Sequence, residues 1–505
     1  MGLISSLPSA DLQSTAIYIA CLPAGIILFT LIQRIYTSFF GPLRGVKGPW
    51  LARYTRLWEM FALYQGDFEK QNIALHKRYG KIVRIAPNKY TIDDPDAVRT
   101  IYGHGTKFTK TRFYEAFRMP DRSNLFAELD VKEHAMQRRR IASLYSLTNL
   151  LSYESFIDKC TAVLDDKFTK FAHEGRAVEM VEFLQFYAFD VIGAITAGNP
   201  FGLMTSERDS AGIITAIHHA MQYGGFTGLI PEAHPWIVRA AALFSRSGVS
   251  NNAVGAYIQA QISLRRAGVT PADKHDFLTK LLQLEAAGAN TAFDTFNSCG
   301  SNIAAGSDTT AITLSAVLYH LLRAPRALAA LRREIDAAAA DGRVADPVTY
   351  AQAQDQLPYL QAVLKEALRV HPAVGQPLLR RVPPGGAVVA GRWFPEGAEV
   401  GVNPWVAHSN EEVFGADAAA FRPERWLERG EGEEAKRMEG YFLAFGHGSR
   451  TCIGKHISLL EISKVIPQLV RKFDFELVEP GKEWETATAW FTKQRFHCYI
   501  KRRAE

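Results

Sequence analysis

Apolar and polar positions along the chain fall into long helical stretches, with short alternating runs interspersed among them. Leu12 to Gln33 carries no charge, and Ala16 to Ile32 is almost wholly apolar, long enough to cross a bilayer. Pro23 lies inside this span, which membrane helices tolerate. A cleaved signal peptide is the competing reading, but it wants a basic start, and no Lys or Arg precedes Arg34. Arg34, Arg44, Lys47, Arg53 and Arg56 follow the span, so the positive-inside rule puts the N-terminus in the lumen and the rest in the cytosol. The pattern predicts residues 1–14 as a short lumenal N-terminus and 15–33 as a single-pass anchor. Residues 34–50 read as a Pro/Gly hinge (Gly41-Pro42, Gly45, Gly48-Pro49) and 51–505 as the globular body.

Within the body, β-branched residues alternate from Gly80 to Asp94 and predict a hairpin turning near Ala86-Pro87-Asn88. Asp130 to Ser146 reads as a helix with Asp130 as its N-cap, which puts His134 and Arg138 on one face. Phe183 to Thr196 is an apolar helix ended by Gly198-Asn199-Pro200. Ala211 to Trp236 is apolar but too rich in glycine for a regular helix, and reads as a flexible segment. Ala292 to Arg323 is the longest helical pattern, interrupted by Gly306, Ser307, Thr309 and Thr310, residues that favour a bend. Ala324 to Asp341, Leu360 to Val370 and Lys455 to Lys472 are further helices, the last with Pro467 as a candidate kink. Ala387 to Val402 suggests a second hairpin turning at Pro395-Glu396-Gly397, and Phe473 to Val478 and Phe496 to Lys501 read as closing strands. The fold class is mainly α with small β-sheets (α+β).

Composition narrows this picture modestly. The 505 residues are 47% hydrophobic and 22% charged, a globular balance. A net charge of +6 with no dense basic run does not suggest nucleic-acid binding. Cys21, Cys160, Cys299, Cys452 and Cys498 are scattered, odd in number and without zinc spacing, which argues for a reducing compartment.

The candidate chemistry centres on Phe445-Gly446-His447-Gly448-Ser449-Arg450-Thr451-Cys452-Ile453-Gly454. A lone cysteine is usually a small buried hydrophobe. Here it precedes a helix, whose N–H groups and dipole stabilise a thiolate. The glycines let the backbone pass close to something flat, and Arg450 can pair with a carboxylate on it. Thiolate, flat ligand and carboxylate together suggest haem with an axial cysteine.

The decapeptide resembles, at every fixed position, the haem loop of the cytochrome P-450 family, Phe-x-x-Gly-x-Arg-x-Cys-x-Gly. Three further motifs occur in family order. Ala305-Gly306-Ser307-Asp308-Thr309-Thr310 matches the oxygen-activation motif. Glu366 and Arg369 match Glu-x-x-Arg, whose partner is Arg425 in Phe421-Arg422-Pro423-Glu424-Arg425-Trp426, implying a buried charge triad. His134-x-x-x-Arg138 stands where the family has Trp-x-x-x-Arg. Several stretches are similar to the fungal secondary-metabolism, pisatin-demethylase-like members.

The resemblance implies the cytochrome P-450 fold behind one transmembrane helix, and haem b with Cys452 as axial metal ligand. Arg450, Arg380, Arg138 and His134 would hold the propionates, with Phe445 in the loop; the register at Arg380 stays open by one, to Arg381. Gly306 would let the long helix approach the haem, while Asp308 and Thr309 supply protons on its distal side. The implied enzyme is a monooxygenase of a lipophilic small molecule in secondary-metabolite (mycotoxin-type) biosynthesis, in the endoplasmic reticulum membrane with its body in the cytosol. No dinucleotide fingerprint is apparent, so electrons would come from an NADPH–cytochrome P-450 reductase, with cytochrome b5 as a second candidate donor. Phe117, Phe126, Phe296, Ile303 and Val374 are pocket candidates by analogy, although plain core packing is the commoner fate of such residues. Two other functions compete. A haem-thiolate isomerase or dehydratase needs no reductase and can dispense with the acid–alcohol pair. A tethered haem protein for sensing or electron relay would not need the distal motif.

Overall fold

The computed structural model describes residues 25, 28–244, 253–269, 275–428, 430 and 432–503. Residues 1–14 and most of the expected anchor at 15–33 lie outside them. Residues 28–40 are helical, and regular structure stops at Gly41, within the expected hinge. Among the described residues one helix, Met180–Ala197, is long and apolar enough to cross a membrane, but 89% of it is buried inside the body.

The first hairpin forms as its alternation predicts: β1 (Ile82–Ala86) and β2 (Lys89–Ile92) are antiparallel, with Asn88 at φ 62 in the turn. β3 (Thr109–Lys110) follows. Asp130 then caps α1 (Val131–Ile141), its carboxylate accepting from the Glu133 N–H at 2.8 Å. α2 (Glu154–Glu174), β4 (Val178–Glu179) and α3 (Met180–Ala197) come next, and Gly198 in the left-handed region ends α3.

The glycine-rich stretch departs from its expectation. It is a helix, α4 (Ile213–Thr227), and its glycines have a packing role. A Cβ at Gly224 would lie 2.4 Å from the Phe117 ring, and one at Gly228 2.6 Å from Phe113. Tertiary packing against an aromatic cluster overrides the low helix propensity.

α5 (Ala292–Arg323) opens on a Thr291 capping box and runs unbroken through Gly306. Its hydroxyls satisfy themselves on the preceding turn: Ser307 Oγ donates to Ile303 O at 2.8 Å and Thr313 Oγ1 to Thr309 O at 2.9 Å. α5 packs on α3, on α6 (Pro358–Val370) and on α7 (Lys455–Lys472), which continues through Pro467. These helices and α2 enclose the main apolar core, including Leu184, Ile195, Leu314, Val317, Val363 and Ile462. Ile303 is fully buried in this core and Phe296 packs against it.

The sheets are small. β5 (Arg380–Arg381) and β8 (Glu399–Gly401) complete a five-stranded sheet in the order β1-β2-β8-β5-β3. Between them, β6 (Ala387–Val389) and β7 (Arg392–Phe394) form a separate hairpin. Its turn is at Ala390-Gly391, both at positive φ, and not at Pro395-Glu396-Gly397. The tighter two-residue turn suits the strand twist, and the Pro-Glu-Gly turn instead redirects the chain into β8. β9 (Phe473–Leu477), β10 (Glu485–Thr488), β11 (Thr492–Arg495) and β12 (His497–Arg502) close the chain: β4-β12-β9 form one sheet and β10-β11 a hairpin. The Gln494 side-chain amide donates to Ile312 O at 2.9 Å, tying β11 to α5.

Candidate active site

Cys452 sits in the turn that leads into α7. Its N–H donates to Phe445 O at 2.8 Å, and Thr451 Oγ1 donates to the same carbonyl at 3.1 Å. Gly446 and Gly448 have φ of 71 and 64, and a Cβ at Gly448 would collide with the Tyr102 carbonyl oxygen, so the turn requires glycine there. The residue is solvent-accessible although its sulfur lies deep among protein atoms, as at the floor of a cleft. That depth pushes the thiol pKa up; the Gly454 and Lys455 N–H groups and the charges of Arg138 and Lys455 pull it down. Lys455 Nζ lies 5.6 Å from the centre of the Phe445 ring.

A group of cations stands nearby. Arg450 donates to Glu128 O at 2.7 Å, and Arg380 to Leu379 O at 2.9 Å. Burial and the neighbouring Arg380 lower Arg450 to about 10. His134 is buried in α1 and is held neutral, lowered to about 3, first by burial and then by Arg450, Lys110, Arg138 and Arg380. Arg138, one turn on, donates to Thr451 O at 2.8 Å beside Cys452. Arg380 is buried while its neighbour Arg381 is exposed, which fixes the inward-facing residue. Among the described residues Lys110, Arg138, Arg380 and Arg450 form no ion pair with a carboxylate. A flat macrocycle bearing two carboxylates and a metal that accepts a sulfur ligand fits this donor set: a sulfur at a helix N-terminus and several cations lacking anions.

α5 passes this turn. Thr310 Oγ1 and Ser458 Oγ, in the first turn of α7, are 3.1 Å apart. Thr309 Oγ1 donates to Ala305 O at 2.7 Å, leaving its oxygen as an acceptor. Asp308 points elsewhere and is buried. Gln185 of α3 donates to its Oδ1, and Lys493 of β11 lies 3.1 Å from its Oδ2, an ion pair without hydrogen-bond alignment. A Cβ on Gly306 would lie 2.9 Å from Ile192, so this glycine lets α5 approach α3. Motif reading finds the acid and the alcohol but neither Gln185 nor Lys493, which come from distant elements.

The expected triad forms in the buried core. Glu366 accepts from Arg369 at 2.7 and 2.8 Å and from Arg425 at 2.9 Å, all three side chains being fully buried. Trp426 Nε1 and the Arg422 N–H also donate to Glu366, each at 2.9 Å. Arg369 spends its remaining donors on His408, Ala418 and Ala420 carbonyls.

On the other side lies an edge-to-face cluster of Phe113, Tyr114, Phe117, Phe126 and Trp490, ring centres 5.3–6.0 Å apart. Phe117 and Phe126 both belong to this cluster. Val374 pairs with Phe491 across an isolated bridge beside the cluster.

The cytochrome P-450 family model matches residues 49–496, nearly the whole chain. The protein belongs to the cytochrome P-450 family. This P-450 is 42% identical to a pisatin demethylase from Fusarium vanettenii, over 100% of this chain and 97% of the relative. It is 35% identical to the cytochrome P-450 monooxygenase cicH of Emericella nidulans, covering 91% of this chain and 94% of that one. The monooxygenase gsfF of Penicillium aethiopicum is 34% identical, over 91% and 93%. A cytochrome P-450 crystal structure aligns with a TM-score of 0.75 at 19% identity, covering 91% of this chain and 99% of that one, and so shares the fold. The protein is an oxidoreductase of the monooxygenase class, and the family implies haem with a cysteine thiolate ligand.

Proposed function

We propose that this P-450 is a membrane-anchored haem-thiolate monooxygenase of the endoplasmic reticulum, with its body in the cytosol. It oxidises a lipophilic small molecule in fungal secondary metabolism and draws electrons from an NADPH-dependent reductase. The observation that carries the reading is that α5, which bears the Thr309 alcohol and the buried Asp308 acid, passes the turn that sets a sulfur at the N-terminus of α7. In this reading Cys452 is the metal ligand, Phe445 shields its turn, and Arg450, Arg380, Arg138 and His134 hold the cofactor's carboxylates. Bound haem would supply the activation of dioxygen. Thr309, its hydrogen committed to Ala305 O, holds a donor in the cleft, while Asp308 carries protons inward from the Lys493 and His218 side. The aromatic cluster and the names of the relatives support a lipophilic substrate.

Membrane attachment draws support from exposed apolar side chains on residues 28–40, with Leu57, Phe61, Trp236 and Ile237. Arg56 bonds Glu232, which brings the neck and the 231–237 segment together on one side. Exposed Arg139 of α1 supports docking of an acidic redox partner, whereas its neighbour Arg140 is paired with Asp294.

The test is spectroscopic and kinetic. Reduced protein with carbon monoxide should show the thiolate-haem band, and Cys452→Ala should abolish it. NADPH and reductase should then yield an oxygenated product. A thiolate band with rearranged product and no NADPH requirement would select the isomerase reading instead.

A further inference from the structure

The β10–β11 hairpin touches the site from more than one side. Its turn carries Trp490, the ring that Phe113, Tyr114, Phe117 and Phe126 share, with centres 5.3–6.0 Å apart. Its second strand carries Lys493, the ion-pair partner of Asp308. The next residue, Gln494, bonds α5 at Ile312, one turn beyond Thr309, and Ile312 belongs to the apolar cluster that holds Trp490 and Phe491. A shift of this hairpin would therefore move the aromatic cluster and the partner of the acid together.

The hairpin is pinned from outside by the helix Phe68–Tyr79 and the turn before it. Thr488 N–H donates to Gly66 O at 2.8 Å, Lys70 Nζ to Thr486 Oγ1 at 3.0 Å, and Thr488 Oγ1 to Glu69 Oε2 at 2.6 Å. Thr488 Oγ1 also lies 2.8 Å from Thr492 Oγ1, closing the base of the turn. On the inner side Gly375 N–H donates to Trp490 O at 3.0 Å, and the Gln376 amide to Ala489 O at 2.7 Å. A Cβ on Gly375 would lie 2.4 Å from Thr492 Oγ1, so the hairpin rests on this segment without slack.

Glu69 is the costly member of this set. It is fully buried, and its Oε1 has no partner beyond its own N–H. Burial pushes its pKa up, against the Thr488 hydrogen bond that pulls it down. Backbone bonds already hold the hairpin to its neighbours, and a costly group where cheaper ones suffice is expected at a site rather than in a scaffold. What the carboxyl adds is direction. As acceptor for the Thr488 hydroxyl it orients the base of the turn, and so the angle at which Trp490 enters the cluster.

Resting on the haem-thiolate reading above, we infer that Glu69 is a positioning residue: through Thr488 it sets Trp490 at the wall of the cleft and so determines how well a planar aromatic ligand fits. The competing account makes Glu69 a fold contact with no bearing on the cleft.

Imidazole and 4-phenylimidazole separate the two accounts, since both ligate haem iron and only the second carries a ring that reaches the wall. Their dissociation constants are read from the Soret shift of the haem-loaded full chain. In Glu69→Met, 4-phenylimidazole should bind about tenfold more weakly while imidazole keeps its wild-type affinity. Glu69→Gln, which still offers Thr488 an oxygen, should lie closer to wild type than Glu69→Met does. Trp490→Ala should lose the same preference, and adding Glu69→Met to it should cost nothing more, as for residues acting in series. Equal weakening of both ligands in Glu69→Met would mark a fold contact and overturn the assignment, as would an unchanged ratio or full additivity with Trp490→Ala. Should Glu69→Met not fold, Thr488→Val decides by the same ratio. A wild type that takes imidazole but not 4-phenylimidazole would also overturn the assignment, by removing Trp490 from the cleft wall. No shift with either ligand would overturn the haem reading itself.

Discussion

Thr309 illustrates how one hydrogen bond fixes a role. Its hydroxyl hydrogen is spent on Ala305 O at 2.7 Å, so a group entering the cleft meets an acceptor oxygen on a rigid turn. Thr309→Ala removes that acceptor while leaving the helix ladder intact. It should leave NADPH consumption within a few-fold of wild type and divert most of it to peroxide, a loss of about tenfold or more in product per NADPH, as for one general-acid or positioning group. Thr309→Ser should retain most coupling. Parallel assays of product, peroxide and NADPH check this, and unchanged coupling in Thr309→Ala would remove the proton-delivery role. Thr309, Cys452 and Arg450 were legible because each lies in a contiguous motif. Gln185 and Lys493 were not, since Asp308 meets them only after α3, α5 and β11 assemble.

At the level of elements, the hydrophobic pattern located the first hairpin and the helices that carry the motifs, left others such as Glu154–Glu174 unread, and failed where glycine was read by propensity alone. These glycines look like helix breakers in sequence, yet Gly224 and the C-cap Gly228 are the points at which α4 and its end touch Phe117 and Phe113. This makes a specific demand. Gly224→Ala gains intrinsic helix propensity of nearly 1 kcal/mol, but its methyl would stand 2.4 Å from the Phe117 ring. Overpacking of this kind costs about 1–3 kcal/mol, so the net effect should be destabilising. Phe117→Ala in the same chain clears the space, and the double variant should be more stable than the sum of the two single changes predicts. Thermal unfolding of the four proteins measures that coupling, and additive effects would show that α4 does not rest on Phe117 through Gly224.

For the whole molecule, buried carboxyl groups differ in how far the fold partners them. Glu366 is surrounded by two guanidiniums, an indole N–H and a backbone N–H, a network anticipated from Glu-x-x-Arg and completed by Arg425. Glu461 of α7 is equally buried, but its Oε1 has no partner among the described residues, and no motif points to it. Burial alone drives its pKa well above the ordinary carboxylate value, so the folded protein keeps Glu461 protonated where the unfolded chain has released the proton. The sign follows from proton uptake: below about pH 4.5 both states hold the proton and nothing is lost. As pH rises above that, the unfolded state gains stability by ionising and the folded state does not, so net stability falls until the folded-state pKa is reached. Glu461→Gln keeps the shape and removes the titration. It should stabilise the protein by about 1–3 kcal/mol at pH 7–8 and by little at pH 4–4.5. Holoprotein unfolding across this range tests it, and a gap between variant and wild type that does not widen with pH would show that Glu461 is ionised in the core. The sequence could not disclose this group, because a Glu at the seventh position of an amphipathic helix reads as solvated until the helices around α7 close over it.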